Sequence, residues 1–219
     1  MKKLFKYLRR LAIEHDLNQR YRQRLSSRGA NPQGVFWNSQ QNQTNRFAAL
    51  LSMIADQTPT HNNTPTLCEV GCGYGAMFDY MNARRRFAGW IYQGVDINPA
   101  MITACQAAFP DDKTRFTTGR KPASKVDFSV FSGTYNLCPI ENIDAWETYI
   151  FDCLGDCWRQ SRHGMALNLL CASTPRIKGQ IYYANRDRFI DRASTIFGPT
   201  RAVPTPLVDG DVTFLISRS

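Results

Sequence analysis

From Thr66 to Ser217 short apolar segments alternate with helical ones, and this alternation limits the chain to an α/β fold. The pattern predicts strands over 66–70, 90–95, 114–117, 126–132, 165–171, 201–205 and 212–217. Between them it predicts helices over 76–87, 99–109, 144–161 and 185–197. Strands joined through helices need crossover connections, and these produce a parallel sheet covered on both faces. The last two strands are joined by a turn at Asp209-Gly210 with no room for a helix, so they form an antiparallel hairpin. Upstream, residues 3–27 read as a helix with Leu4, Tyr7, Leu8 and Leu11 on one stripe, ended by Gly29, Asn31 and Pro32. Residues 40–56 read as a second helix with Phe47, Leu50, Leu51 and Ile54 on one side, followed by a polar linker from Thr58 to Pro65. The expected division is an N-terminal helical cap or lid over 1–57 and an α/β domain over 58–219.

A chain of 219 residues suits one domain with a small extension. Its longest apolar runs fall short of a membrane span. The start, Met1-Lys2-Lys3-Leu4-Phe5, is basic like a signal peptide. Arg9, Arg10, Glu14 and Asp16 interrupt the apolar core that would follow, so a cytoplasmic protein is expected. Seven irregularly spaced cysteines fit reduced thiols better than a disulfide framework. Cys153 and Cys157 lie four apart, but His15, His61 and His163 do not complete a ligand set, and no metal is expected. Residues 1–28 hold nine basic and two acidic residues, a net +7 of the chain's +9. The positive charge therefore belongs to one segment, which argues against a nucleic-acid partner for the domain. That segment reads first as a helix packed on the domain or covering its mouth, with membrane-surface or RNA contact as the sharper alternatives.

The densest signal is Glu69-Val70-Gly71-Cys72-Gly73-Tyr74-Gly75, which follows the first strand and opens a helix. Glycines there permit positive φ and close approach of a ligand to the main chain, and the helix start adds unpaired amide donors. In open parallel sheets ligands sit beyond the carboxyl ends of the strands, where strand order reverses. Twenty-one residues after Gly75, Asp96 ends the second strand, where a carboxylate accepts ribose hydroxyls; Ile97 stands beside it. Gly71, Gly73 and Ala76 also meet the loose dinucleotide spacing. Glu69, Gly75 and the terminal hairpin speak for a cationic sulfonium ligand instead, because pyrophosphate wants bare amides and no nearby carboxylate.

On these residues the chain resembles the class I S-adenosylmethionine-dependent methyltransferases, over roughly residues 35–217. Glu69–Gly75 resembles the family's first motif and Asp96 the acid of its second. The resemblance implies a Rossmann-like sheet of seven mostly parallel strands in the order 3-2-1-4-5-7-6, strand 7 antiparallel, with helices on both faces. It implies S-adenosylmethionine as cofactor, held by Glu69, Gly71, Cys72, Gly73, Gly75, Asp96 and Ile97. A bacterial subgroup is also similar in Trp37, Ser39, Gln43, Arg46 and Phe47, in Ser132-Gly133-Thr134-Tyr135-Asn136, and in Tyr182-Tyr183-Ala184. This likeness adds Trp37, Arg46 and Ser132 to the cofactor-binding set, with Arg46 a partner for the cofactor's carboxylate. Thr118-Gly119-Arg120 lacks the acid that the family commonly places near the adenine.

The position after the fourth strand faces the methyl group in this fold. An Asn/Asp-Pro-Pro-aromatic signature for amino groups of nucleic-acid bases is replaced there by Ser132–Asn136. Asn136, Tyr135, Tyr182 and Tyr183 are the catalytic candidates: Asn136 to orient a nucleophile, a tyrosine ring to face the sulfonium. An Asx-turn for Asn136 and aromatic packing for the tyrosines are equally open. With only residues 172–184 between the fifth strand and the next helix, a small metabolite is the expected acceptor. The alternative is that the cofactor is the sole substrate, cyclised or cleaved with release of methylthioadenosine. A third reading is an RNA- or membrane-associated methyltransferase, or a cofactor-binding regulator without activity.

Overall fold

The computed structural model describes residues 2–37, 39–57 and 64–218. Most of the expected linker, residues 58–63, lies outside the described residues. The chain runs α1 (Lys2–Arg28), α2 (Gln40–Ala55), β1 (Thr66–Val70), α3 (Ala76–Asn82), β2 (Ile91–Asp96), α4 (Pro99–Ala108), β3 (Phe116–Thr118) and β4 (Val126–Phe131). It continues through α5 (Ile143–Trp158), β5 (Ser161–Leu170), β6 (Arg176–Lys178), β7 (Ile181–Tyr183), α6 (Arg186–Ile196), β8 (Thr200–Pro204) and β9 (Asp211–Ser217).

The main sheet has seven strands in the order β3-β2-β1-β4-β5-β9-β8. β1 to β5 are parallel, and β9 lies antiparallel between β5 and β8. With the small β6–β7 pair set aside, this is the order 3-2-1-4-5-7-6. The strand side chains divide into two apolar layers. Leu67, Phe128, Val130 and Ala166 meet α2, α3 and α4, while Cys68, Val70, Met165, Leu167 and Phe214 meet α1, α5 and α6. The alternation of neighbours such as Leu67 and Cys68 follows from the two-residue period of a strand buried on both faces.

Two features depart from the sequence reading. β6 and β7 form an unexpected antiparallel ribbon around a two-residue turn, Gly179-Gln180, with φ of +56° and +67°. A two-residue loop with both residues at positive φ matches the twist of paired strands, so Arg176–Tyr183 carried a hairpin signal at Gly179. α1 also buries a different face from the expected stripe. Ile13, Glu14 and Leu17 are buried, whereas Leu4 is 62% and Leu8 55% exposed. Residues 4–9 of α1 are exposed, with Lys6 and Arg10 reaching Asp152 and Asp156 on α5, so an apolar periodicity there has no core to meet. α1 ends as expected at Gly29, φ +79°, whose amide closes the last turn on Leu25 O.

Candidate functional site

At the carboxyl ends of β1, β2 and β4, beneath α1, lies a partly open cavity. Its floor is the loop Glu69–Gly75. Gly71, Gly73 and Gly75 take φ of +78°, +54° and +86°, which a side chain would strain. A Cβ on Gly71 would stand 2.7 Å from the Thr134 side chain, and Thr134 Oγ1 donates to Val70 O at 2.9 Å. The floor and the stretch after β4 are thus packed into one unit. The loop amides are turned toward the protein rather than left free. Gly71 and Cys72 donate to Val95 O, Gly75 to Cys72 O, and Gly73 to Asp96 Oδ2 at 2.9 Å. The amides of Gly71, Cys72, Gly73 and Gly75 are therefore spent on fixing the loop and are not available to a pyrophosphate.

Asp96 accepts the Gly73 amide on one oxygen and the Asn98 amide, at 2.8 Å, on the other. It is 8% exposed, and burial pushes its carboxyl up to about 6 against the pull of these two amides. Glu69 is more deeply buried. Desolvation raises it to about 8, with the Tyr92 hydroxyl hydrogen-bonded to it and the charge of Asp96 nearby. Two buried carboxyls held above their ordinary range favour a cationic ligand. A cation entering the cavity would stabilise both ionised forms, so its binding at pH 7 is expected to release protons. Calorimetric titrations in buffers of different ionisation enthalpy measure this, and no release would place the cation away from Glu69. The sign for stability is the opposite of the usual carboxylate case. The folded state holds a proton on Glu69 that the unfolded chain has already lost, so ligand-free stability falls as pH rises from about 4.5 to about 8. Thermal melts across that window should show the slope, and Glu69→Gln should flatten its part above about pH 6, where Asp96 has already lost its proton.

One wall is aromatic. Trp37, Tyr135 and Tyr149 line the cavity, and Tyr74 donates to Gln43 Oε1 at 2.8 Å from α2. The Trp37 ring lies over Gly133, φ +66°, where a Cβ would stand 2.7 Å from the indole. Gly133→Ala is therefore expected to displace Trp37 and cost roughly 1–3 kcal/mol of stability. Denaturant unfolding checks this, and an unchanged midpoint would show that the indole moves aside freely. Ser132 lines the cavity with a buried hydroxyl that has no hydrogen-bond partner.

The remaining wall is α1, whose Arg10, Glu14, Leu17, Asn18 and Tyr21 all face the cavity. Glu14 is buried between two arginines, Arg10 Nε at 2.9 Å and Arg120 Nη2 at 2.5 Å, and Arg10 also pairs with Asp156 at 2.5 Å. None of these residues was singled out from the sequence. Their signal was an acid, Glu14, set inside a basic helix four residues after Arg10.

The structure brings Glu69, Gly71, Cys72, Gly73, Asp96, Ile97, Trp37, Ser132 and Tyr135 together around the cavity. Gly75 sits just behind, opening α3. Four expected site residues are placed elsewhere. Arg46 is paired with Asp211 at 2.6 Å and stacked 4.3 Å from the centre of the Trp37 ring, so its charge is spent within the protein. Asn136 ends a turn in which its amide donates to Gly133 O at 3.3 Å, but its side chain makes no Asx-turn: Oδ1 accepts the Leu170 amide at 3.1 Å, joining the loop after β4 to the end of β5. Tyr182 donates to Glu147 on α5 at 3.0 Å, and Tyr183 stacks with Arg176 in the β6–β7 ribbon. The reason is common to all three: the ribbon pairs Ile181 with Leu137 and holds this segment against α5 rather than over the cavity.

No family model matches the chain. The Mycobacterium tuberculosis protein Rv1506c, which carries the name of a methyltransferase, is 30% identical over 121 residues, 53% of this chain and 71% of its own length. The Synechocystis magnesium protoporphyrin IX methyltransferase, solved with bound S-adenosylmethionine, superposes with a TM-score of 0.56 at 16% identity over 81% of this chain and 79% of that one. The Haemonchus contortus phosphoethanolamine N-methyltransferase 1 superposes with a TM-score of 0.63 at 13% identity over 94% of this chain and 49% of its own. The strand order, the glycine loop tied to Asp96 and this kinship agree: the chain belongs to the class I S-adenosylmethionine-dependent methyltransferase family.

Proposed function

We propose that this methyltransferase acts on a small metabolite enclosed with the cofactor beneath α1. The observation that carries the reading is the roof: five side chains of α1, from Arg10 to Tyr21, line the same cavity as the glycine loop and Asp96. In this reading residues 1–57 are the cap and the rest is the cofactor-binding domain. The residues present suit S-adenosylmethionine. Asp96 offers its remaining lone pairs to the ribose, Glu69 faces the positive end, and Ser132 has a buried hydroxyl to spend. When bound, the cofactor supplies an electrophilic methyl group, and the protein's part is to align it and exclude water. Trp37, Tyr135 and Tyr149 supply aromatic faces for the sulfonium.

A second reading has its own observation. Among the described residues no histidine lines this cavity, and the more strongly raised of its two carboxyls, Glu69, lies at the cofactor end. Once the entering cation has driven the proton of Glu69 out to solvent, the carboxylate left, of pKa about 8 in the empty site, is suited to take a proton from the cofactor's own ammonium. The freed amine would then attack the carbon next to sulfur, closing a four-membered ring as the carbon–sulfur bond breaks and methylthioadenosine leaves. Incubation with S-adenosylmethionine alone, followed by mass spectrometry, separates the two. An unconsumed cofactor supports the methyltransferase with a separate acceptor, whereas methylthioadenosine with a new amino acid replaces that reading by the second.

The start of α1 supports a weak membrane-surface contact as well. Phe5 is 71% exposed beside Leu4, Tyr7 and Leu8 on the most basic segment of the chain, although no described helix is long and apolar enough to cross a membrane. Co-sedimentation with anionic but not neutral vesicles, reduced by Phe5→Glu, is the expected result. Equal recovery with both vesicles would defeat it.

A further inference from the structure

Beyond Asp96, on the side away from the glycine loop, the cavity continues past Ile97 and Asn98 to Gly119 at the end of β3. A ligand with its ribose on Asp96 and its amino-acid tail along the loop has this space left for its base. The walls are suitable for a flat ring: Ile97 on one side, and on the other the Gly119 backbone, fixed by its amide to Asp96 O at 2.9 Å. A base also carries a hydrogen-bonding edge, and Thr118-Gly119-Arg120 offers no carboxylate to meet it. Arg120 is turned to Glu14, and Glu14 has both oxygens engaged by arginines. The group left over is Asn18 of α1.

Asn18 lines both parts of the cavity. Its Oδ1 is buried and has no hydrogen-bond partner, while its main-chain carbonyl accepts from Asn98 Nδ2 at 3.3 Å, fixing that turn of α1 over the end of β2. An unpaired buried carbonyl is costly, and asparagine is a poor residue for a helix interior. Both costs become intelligible if the side chain is paired when the site fills. A carboxamide presents an acceptor and a donor side by side, which matches the amino group and adjacent ring nitrogen of adenine. The same pairing lets asparagine read adenine in nucleic acids.

We propose that Asn18 reads the adenine edge of S-adenosylmethionine, so that α1 is part of the cofactor site and base selection comes from the roof rather than from the loop after β3. This rests on the cofactor reading of the cavity. The test is calorimetric binding of S-adenosylhomocysteine and of its analogue with hydrogen in place of the 6-amino group, to the full chain and to Asn18→Leu. The wild type should prefer the amino form about tenfold, the value of one well-made hydrogen bond of about 1.4 kcal/mol. Asn18→Leu should bind the amino form about tenfold more weakly and no longer distinguish the two, with a melting temperature at least that of the wild type, since leucine is the better helix former. Asn18→Asp, which keeps an acceptor for the amine, should restore part of the preference. A Leu variant that keeps the wild-type preference would overturn the assignment to Asn18 while leaving the cofactor site intact. A wild type that binds neither compound would overturn the underlying reading itself.

Discussion

Arg46→Ala is expected to lower the unfolding free energy by roughly 3–5 kcal/mol. Arg46 on α2 is 7% exposed, and its Nη2 lies 2.6 Å from Oδ2 of Asp211 at the start of β9, itself 2% exposed. Around the pair is a buried polar row: Thr205 donates to Asp211 Oδ1 at 2.6 Å, and Asn168 Nδ2 to Thr213 Oγ1 at 2.7 Å. Burial raises the Asp211 carboxyl, and Arg46 is the largest influence that pulls it back. Without the arginine a carboxylate is left in the core with only a threonine to solvate it, and Trp37 loses the cation on its face. The pair itself contributes far less than this figure, because most of the loss comes from the orphaned charge. Two results follow. Arg46→Met with Asp211→Leu should recover most of the stability in urea unfolding. The deficit of Arg46→Ala should also shrink as pH falls, since protonation removes the uncompensated charge. A single variant within about 1 kcal/mol of wild type would show that the site is wet.

The parts of the molecule legible from sequence are those set by local pattern. The strand–helix alternation is read segment by segment, and the glycines after β1 and the acid at the end of β2 lie within about thirty residues of one another, where the parallel fold forces them together. Contacts made across the chain were not legible. Arg46 reads as a free cation until Asp211, 165 positions later, is placed beside it. Asn136, Tyr182 and Tyr183 read as a cluster near the methyl position, and the first two do meet, since the Tyr182 amide donates to Asn136 O at 2.8 Å. They meet outside the cavity because a hairpin carries that segment back onto α5. α1 shows the limit of periodicity most clearly. Its apolar stripe at Leu4, Leu8 and Leu11 is genuine in sequence, yet the face that docks is Ile13, Glu14 and Leu17, and a buried glutamate there is sustained by arginines from two elements. A pattern counts apolar residues and cannot count a charge that is neutralised by a distant partner.

Asp96→Ala should weaken binding of S-adenosylmethionine by ten- to a hundredfold, about 1.4 to 2.8 kcal/mol, with a smaller effect on folding. The side chain has two tasks at once. Its oxygens hold the Gly73 and Asn98 amides, so it fixes the glycine loop relative to the start of α4. Each oxygen keeps a second lone pair, and Asp96 lines the cavity, so a ribose hydroxyl placed there has an acceptor. Hydrogen bonds to a charged acceptor contribute about 1.5–3 kcal/mol each, so losing two would exceed the lower bound, and water entering the vacated space returns part of it. Asp96→Asn separates the tasks. Its carboxamide must set an NH2 group against one of two amide donors, so the variant should bind better than alanine but remain well below wild type. Calorimetry on the three proteins, with melting temperatures beside it, gives the ordering aspartate above asparagine above alanine if the acid serves the ribose. Equal affinity across the series would remove the ribose from Asp96, and with it the placement of the base beneath Asn18. An affinity lost only in step with the melting temperature would make Asp96 a clasp of the loop and nothing more.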